Sequence, residues 1–259
     1  MNDKKAISLV FITLENLDSL QKTFLSIKGL SDIIHEVIVV DSSSNKDISK
    51  FCNDEISKHY KLKYIWENPL GIYHAMNTAL NAAETNNYIW YLNPGDSLIN
   101  SDIARELLRK IQKANSIWGY AQAQKKIGES IEVFPKTGLN ANLTNIARGS
   151  LSISHQSMLT SVCELRRLNG FDEKYSIAAD LKVQIELSRN FKSESLLTPL
   201  VEIDPHGISH KKIMRTFLET TAIRLKTKKF SKLETISLGI KFLALKTYRK
   251  LLNKPRVIK

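Results

Sequence analysis

Between residues 6 and 92 the chain alternates short apolar runs with segments whose apolar residues recur every third or fourth position. Ala6 to Thr13 is a near-continuous apolar run, and Glu36 to Val40 is a second, closing on Asp41 and a serine turn. LKYIW (62–66) makes a third and YIWYL (88–92) a fourth. Between them, Asp18 to Ile27 sets Leu20, Phe24 and Ile27 on one helical face, and residues 47–58 read as a polar helix. Ile72 to Thr85 places Tyr73, Met76 and Leu80 at helical spacing, and a further helix is expected from Ser101. Parallel neighbours need a crossover about as long as a helix. This rhythm therefore predicts an α/β fold with a mostly parallel sheet covered on both faces.

After residue 115 the rhythm changes. SIWGYAQAQ and SIEVFP read as antiparallel strands, and NANLTNIARG as a loop. SLSISHQSML reads as a strand returning to the sheet, with His155 and Gln156 at the end of SLSIS. A helix is expected over 180–190 and an extended ESLLTPLVEI after it. From residue 211 the pattern is helical, with Leu233, Ile236, Ile240, Leu243 and Leu251 as an apolar stripe. No internal repeat or low-complexity segment interrupts the chain.

A chain of 259 residues can bury a substantial core, and the expected division is a catalytic-size domain over 1–210 with a basic helical extension over 211–259. The charge supports that division. Net charge is +12, yet residues 211–259 hold 15 Lys and Arg against 2 Glu, so the body is near neutral and the tail carries the excess. Cys52 and Cys163 lie far apart and suit a reducing compartment rather than a disulfide framework. The start, MNDKK followed by AISLVFIT, lacks the long apolar region of a secretory signal. No stretch approaches the roughly 20 apolar residues of a spanning helix. A cytoplasmic, soluble or peripheral protein is expected.

The candidate chemistry lies where strands end, because open α/β sheets bind ligands outside the carboxyl ends of their strands. The fourth run stops in Asn93-Pro94-Gly95-Asp96, and Asp96 reads either as a cap of the next helix or as a ligand of a hard cation. Asp41 reads as an Asx turn or as an acceptor for ribose or base groups. Thr13 and Glu15 follow the first strand in the same way, as pocket lining or helix caps. Gly71 precedes the third helix, where free N–H groups can face a phosphate. Asp180, beside Ala179 at a helix start, is a cap or a general base, with Asp172 the less favoured base candidate. His206 and His210 flank Gly207 and are loop histidines or, for one of them, a neighbour of the cation.

Taken in order, these segments resemble family 2 of the inverting nucleotide-sugar glycosyltransferases, of GT-A fold. The resemblance runs from about residue 6 to 210 and rests on VIVVDSSS, ENPLGIYHAMNTAL, YIWYLNPGDSL, SHQSMLTSVCELRRLNGFDEKYSIAADLKVQIEL and HGIS. It implies a nucleotide-sugar donor, with UDP favoured, contacted by Thr13, Glu15, Asp41, Gly71, Asn77, Asn93 and Asp96. It implies Mn2+ or Mg2+ on Asp96, with His206 a further candidate ligand, and Asp180 as catalytic base. His155 and Gln156 would face the acceptor, a lipid-linked glycan in surface-polysaccharide synthesis such as O-antigen, capsule or exopolysaccharide. The sequence departs from the family pattern at Asn93 (often Asp), Ala179 (often Glu), Met76 (often Arg), and Pro69 and Leu70.

The tail suits an in-plane helix on an anionic membrane at the inner face of the cytoplasmic membrane, or a helix packed on the domain with a solvated basic face. It carries no nucleic-acid motif, and none is expected as partner; an oligomer is left open. Two alternatives stand beside the enzyme. One is a catalytically silent nucleotide-sugar-binding protein. The other is a membrane or nucleic-acid adaptor that uses the tail.

Overall fold

The computed structural model describes residues 6–136, 140–204, 212–227, 232–240 and 244. The four apolar runs are strands β1 (Ile7–Thr13), β2 (Ile34–Asp41), β3 (Lys61–Trp66) and β4 (Tyr88–Tyr91). They lie in the order β3-β2-β1-β4 and are all parallel. Helices α1 (Leu17–Ile27), α2 (Asp47–Phe51) and α3 (Ile72–Ala82) make the crossovers, with α2 widening into a π turn over Cys52–Ile56.

Side chains on a strand alternate between faces, and that alternation divides the core in two. Ile7, Leu9, Phe11, Val37, Val39, Tyr88 and Trp90 point into one cluster with Leu20, Phe24 and Ile27 of α1. Val10, Ile38, Val40, Ile89 and Tyr91 point into the other with Tyr73, Met76 and Leu80 of α3. Both faces are therefore covered, as the sequence predicts.

Beyond β4 come a two-residue β5 (Ser97–Leu98), α4 (Ser101–Lys113), β6 (Trp118–Ile127) and β7 (Ser130–Phe134). Helix α4 starts where Asn100 accepts the Asp102 N–H, and β6 and β7 pair antiparallel. Two expectations fail here. The stretch read as a loop contains α5 (Leu143–Arg148), because Asn142 caps its start and Gly149, at φ +76°, ends it. The returning strand is only β8 (Met158–Ser161), since residues 155–157 close into a 3-10 turn. His155 and Gln156 thus precede a strand rather than end one.

The sheet continues β4-β8-β6-β9-β5, with β9 (Ser193–Glu202) parallel to β6 and the other new pairs antiparallel. Helices α6 (Val162–Arg167) and α7 (Ala179–Asn190) pack on the α3 face. Helix α8 (Ile213–Lys226) begins just past the domain boundary expected at 210, yet it lies on the body, with Ile223 in the α3-side core. The close approach is visible at Gly149, where an added Cβ would stand 3.1 Å from Arg224 Nη2. A further helix covers 232–240 and exposes Leu233, Ile236 and Ile240. Leu243 and Leu251 lie outside the described residues. No described helix is long and apolar enough to cross a membrane.

One buried ion pair ties the edge strand to its neighbour. Glu36 on β2 is fully buried; its carboxylate meets Lys63 Nζ of β3 at 2.8 Å and accepts from Ser8 Oγ (2.6 Å) and the Glu84 N–H (2.8 Å). Replacing Lys63 by Met leaves an uncompensated buried charge and is expected to destabilise the fold by about 3 kcal/mol. Urea unfolding checks this. The cost should shrink as the pH falls through the Glu36 pKa. Burial acts to raise that pKa, but Lys63, Ser8 and the Glu84 N–H outweigh it and hold it below the usual carboxylate range.

Candidate active site

The carboxyl ends of β1, β2, β3 and β4 meet at one edge of the sheet, above a cleft of about 820 Å³ lined by Thr13, Asn93, Asp96, His155, Asp180 and Asp204 among others. Apolar β4 is buried along its whole length and delivers the 93–96 turn there. Gly95, at φ +104°, makes the reversal that other residues resist. Helix α1 then clamps the turn from below. The Thr23 hydroxyl, fully buried, donates to the Asp96 carbonyl (2.7 Å) and accepts from the Gly95 N–H (2.9 Å), while Ser26 Oγ accepts from the Leu98 N–H (3.1 Å).

Asp96 is 3% exposed. Its Oδ1 accepts from the Asp204 N–H (2.9 Å), whereas its Oδ2 is buried without a hydrogen-bond partner of ordinary geometry. Burial pushes its carboxyl up to about 6, against the Asp204 N–H and the nearby His155. The Gln156 side chain stands near this carboxylate, yet Oδ2 gains no hydrogen bond of ordinary geometry, and such an oxygen suits a hard cation. Thr13 Oγ1, on the same cleft, is likewise buried and unpartnered. Asp204 and Lys125, both lining the cleft, escaped the sequence reading. The first lies in a strand exit without a motif, and the second is a lysine in a strand, of a kind usually exposed. Lys125 is instead buried, and burial lowers its pKa.

Asp180 sits in the first turn of α7. Tyr73 of α3, stacked on Phe171, points its hydroxyl at Asp180 Oδ1 (3.1 Å) and the Ile177 carbonyl (2.7 Å). Burial, then the Asp180 charge, raises the Tyr73 pKa far above normal, so the phenol remains a donor. His155 Nδ1 lies 3.6 Å from Asp180 Oδ2, and its Nε2 lies 3.4 Å from Asn93 Nδ2. One imidazole thus spans the 93–96 turn and the start of α7. Its turn is held by buried Trp90, whose Nε1 donates to the Gln156 carbonyl (2.6 Å), and by Ser154, which donates to Gln156 Oε1.

The other sequence candidates are placed differently. Asp41 is wholly buried, and its carboxylate accepts from the Ser43 N–H (2.9 Å), Ser43 Oγ (2.6 Å) and Tyr64 OH (2.7 Å). The Asx-turn reading of Asp41 is therefore realised. Glu15, at φ +51°, accepts from the Ser44 N–H (2.6 Å) and Asn45 Nδ2 (3.1 Å), joining the exits of β1 and β2. Gly71 opens α3 at φ +117°, with open space where a Cβ would stand. Asn77 lies outside the lining of the cleft; its amide clasps Phe171 and Glu173, because it lies on the face of α3 turned to the 171–173 segment. Asp172 is engaged by Lys182 Nζ at 2.8 Å. His206 and His210 lie outside the described residues.

The sequence pattern described as glycosyl transferase family 2 matches residues 8–150, more than half of the chain. The chain belongs to that family. Its curated relatives include uncharacterized glycosyltransferases from two strains of Mycobacterium tuberculosis, 22% identical over 227 residues, covering 84% of this chain and 82% of theirs. Among solved structures, Staphylococcus aureus TarS 1–349 in complex with UDP aligns over 92% of this chain and 70% of its own, at 15% identity and a TM-score of 0.67. The mannosyltransferase PcManGT from Pyrobaculum calidifontis, in complex with GDP-Man and Mn2+, aligns over 98% and 77%, at 15% identity and a TM-score of 0.65. These likenesses show the fold, which is GT-A. The enzyme class expected from the sequence, a glycosyltransferase, holds.

The Asp96 environment yields a prediction with a sign. Its raised pKa penalises the metal-free fold fully above pH 6, and the penalty fades between pH 6 and the unfolded value near 3.8. Asp96→Asn is therefore expected to raise the melting temperature of metal-free protein at pH 7.5, with the gain shrinking at pH 5. Calorimetric scans at the two pH values check this.

Proposed function

We propose that the protein is an inverting glycosyltransferase that moves a sugar from a nucleotide sugar, a UDP-sugar being favoured, to a lipid-linked glycan acceptor in the synthesis of a surface polysaccharide. The observation that carries this reading is the pairing, across one cleft, of Asp96 with its buried unpartnered oxygen and Asp180 with its oriented carboxylate. TarS is bound to UDP and to UDP-GlcNAc in its solved complexes, and PcManGT to GDP-Man and Mn2+, which supports a nucleotide-sugar donor and a divalent cation here.

Asp96 Oδ2 fits a hard cation, Mn2+ or Mg2+, with Asn93 beside it. No three His, Cys, Asp or Glu among the described residues form a ready metal cage. That fits a cation whose remaining positions are filled by the donor diphosphate. When bound, it would offset the negative charge that grows on the departing diphosphate. The chain's own groups do the rest. The free Thr13 hydroxyl and the N–H groups opening α3 after Gly71 face the donor side, and the β2 exit around Asp41 and Glu15 takes the nucleoside. Asp180 accepts the proton of the acceptor hydroxyl as that oxygen bonds to the anomeric carbon. The bond from that carbon to the diphosphate breaks on the opposite face, so one displacement inverts the centre. Tyr73 holds Oδ1 of Asp180, and His155 keeps Oδ2 in register with the metal turn.

The decisive experiment is a panel of UDP-Glc, UDP-Gal, UDP-GlcNAc and GDP-Man, scored for Mn2+-dependent nucleotide release and thermal stabilisation. No response to any donor would overturn the enzyme reading. Asp180→Asn is expected to lower turnover by about 10²- to 10⁴-fold with donor affinity unchanged; near-normal turnover would remove Asp180 as the base. The tail reading is that residues 211–259 rest on an anionic membrane at the cytoplasmic face. It is supported by the exposure of Leu233 (81%), Ile236 and Ile240 on the 232–240 helix, in a segment whose sequence is rich in Lys and Arg. A Leu233→Glu, Ile236→Glu, Ile240→Glu variant of the full chain should lose co-sedimentation with phosphatidylglycerol vesicles, and equal binding by both proteins would sink this reading.

A further inference from the structure

Helix α8 reaches the site through one side chain. Glu219 is 9% exposed and faces the segment that leads into α7. Its Oε1 accepts from the Ser176 N–H (3.0 Å), Ser176 Oγ (2.9 Å) and Arg215 Nε (3.0 Å). Its Oε2 accepts from the Ile177 N–H (2.8 Å) and the Ala178 N–H (3.1 Å). Three consecutive backbone amides therefore converge on one carboxylate.

Those amides belong to Ser176 and Ile177, just before the helix that presents Asp180, and to its N-cap, Ala178. The first N–H groups of a helix have no partner inside it, and a Ser, Thr, Asp or Asn at the N-cap commonly supplies one. Here the N-cap is Ala178, which makes no side-chain cap, and Ala179 follows it. From α8, the Glu219 carboxylate instead binds the amide of that N-cap residue and the two amides before it. Burial acts to raise the Glu219 pKa, but the Ser176 and Ile177 N–H groups and Arg215 outweigh it, so the group stays ionised beside a helix N-terminus that favours negative charge. On the other side, Tyr73 OH reaches the Ile177 carbonyl and Asp180 Oδ1 together. Residues 176–178 are thus pinned between α3 and α8, and Asp180 follows two residues later.

We propose that Glu219 is a positioning residue for the transfer reaction: it sets Asp180 from a helix beyond the 8–150 family match, which makes α8 part of the catalytic unit and not only of the basic tail. This rests on Asp180 being the base. The reach is short enough to matter, because a misplacement of about 1 Å in a reacting group can cost on the order of 100-fold in rate.

The test compares full-length Glu219→Ala, Glu219→Gln and Ser176→Ala with wild type. It reads amide hydrogen exchange at 176–178 and nucleotide release from whichever UDP- or GDP-sugar of the panel wild type turns over. Glu219→Ala is expected to speed exchange at 176–178, lower kcat by about 10- to 100-fold and leave the donor KM within about twofold. Glu219→Gln, which keeps an acceptor oxygen, should fall between. Ser176→Ala should lose a few-fold in kcat, and it carries the test if the Glu219→Ala chain does not fold. Unchanged kcat in the folded variants overturns the proposal. So does a kcat loss matched by an equal loss of donor affinity, which marks general loosening. Failure of the base assignment looks different: Asp180→Asn then turns over like wild type while the exchange effect of Glu219→Ala persists.

Discussion

Four strands run in one direction, and everything the site contains depends on that. Each parallel crossover returns the chain to the same starting edge, so the exits of β1, β2 and β4 and the start of α3 gather at the opposite one. Thr13, Asp41, Gly71 and Asp96 are far apart in sequence and come together for no reason but strand direction. The arrangement holds because alternating side chains bury both faces of the sheet, and because Glu36 and Lys63 bind the edge strand to β2 where burial alone is thinner. β3 itself is only partly covered.

The price of the arrangement falls on Asp96. Its backbone is pinned by Thr23 and its Oδ1 by the Asp204 N–H, and its remaining oxygen stays buried without a hydrogen bond of ordinary geometry. A group so placed costs stability, as polar groups at binding sites commonly do. His155 extends the same rigidity across the cleft, since one ring touches both Asn93 and Asp180. Trp90, which sequence reading assigns simply to a buried strand, is what fixes that ring's turn through the Gln156 carbonyl.

Periodicity made much of this legible. Apolar runs and helical spacing defined β1 to β4 and their crossovers, and the order of motifs identified the family later matched over residues 8–150. Local signals also misled. NANLTNIARG looked like a loop because its helix is six residues long, too short for a periodic signature, and depends on the Asn142 cap and Gly149.

Thus the residues alone, through strand and helix periods and the turn chemistry of Pro94 and Gly95, settled the fold class and the exits at which carboxylates would appear. Which of those carboxylates stays available was decided only in three dimensions. Asp41 and Asp96 read alike in sequence, each ending an apolar strand. Tyr64 and Ser43 engage the one, whereas an oxygen of the other is buried without a hydrogen bond of ordinary geometry. Thr23 and Glu219 likewise have no motif of their own. Their roles arise from side chains brought within hydrogen-bond or ion-pair distance across long stretches of chain, and such contacts depend on packing, which no local pattern encodes.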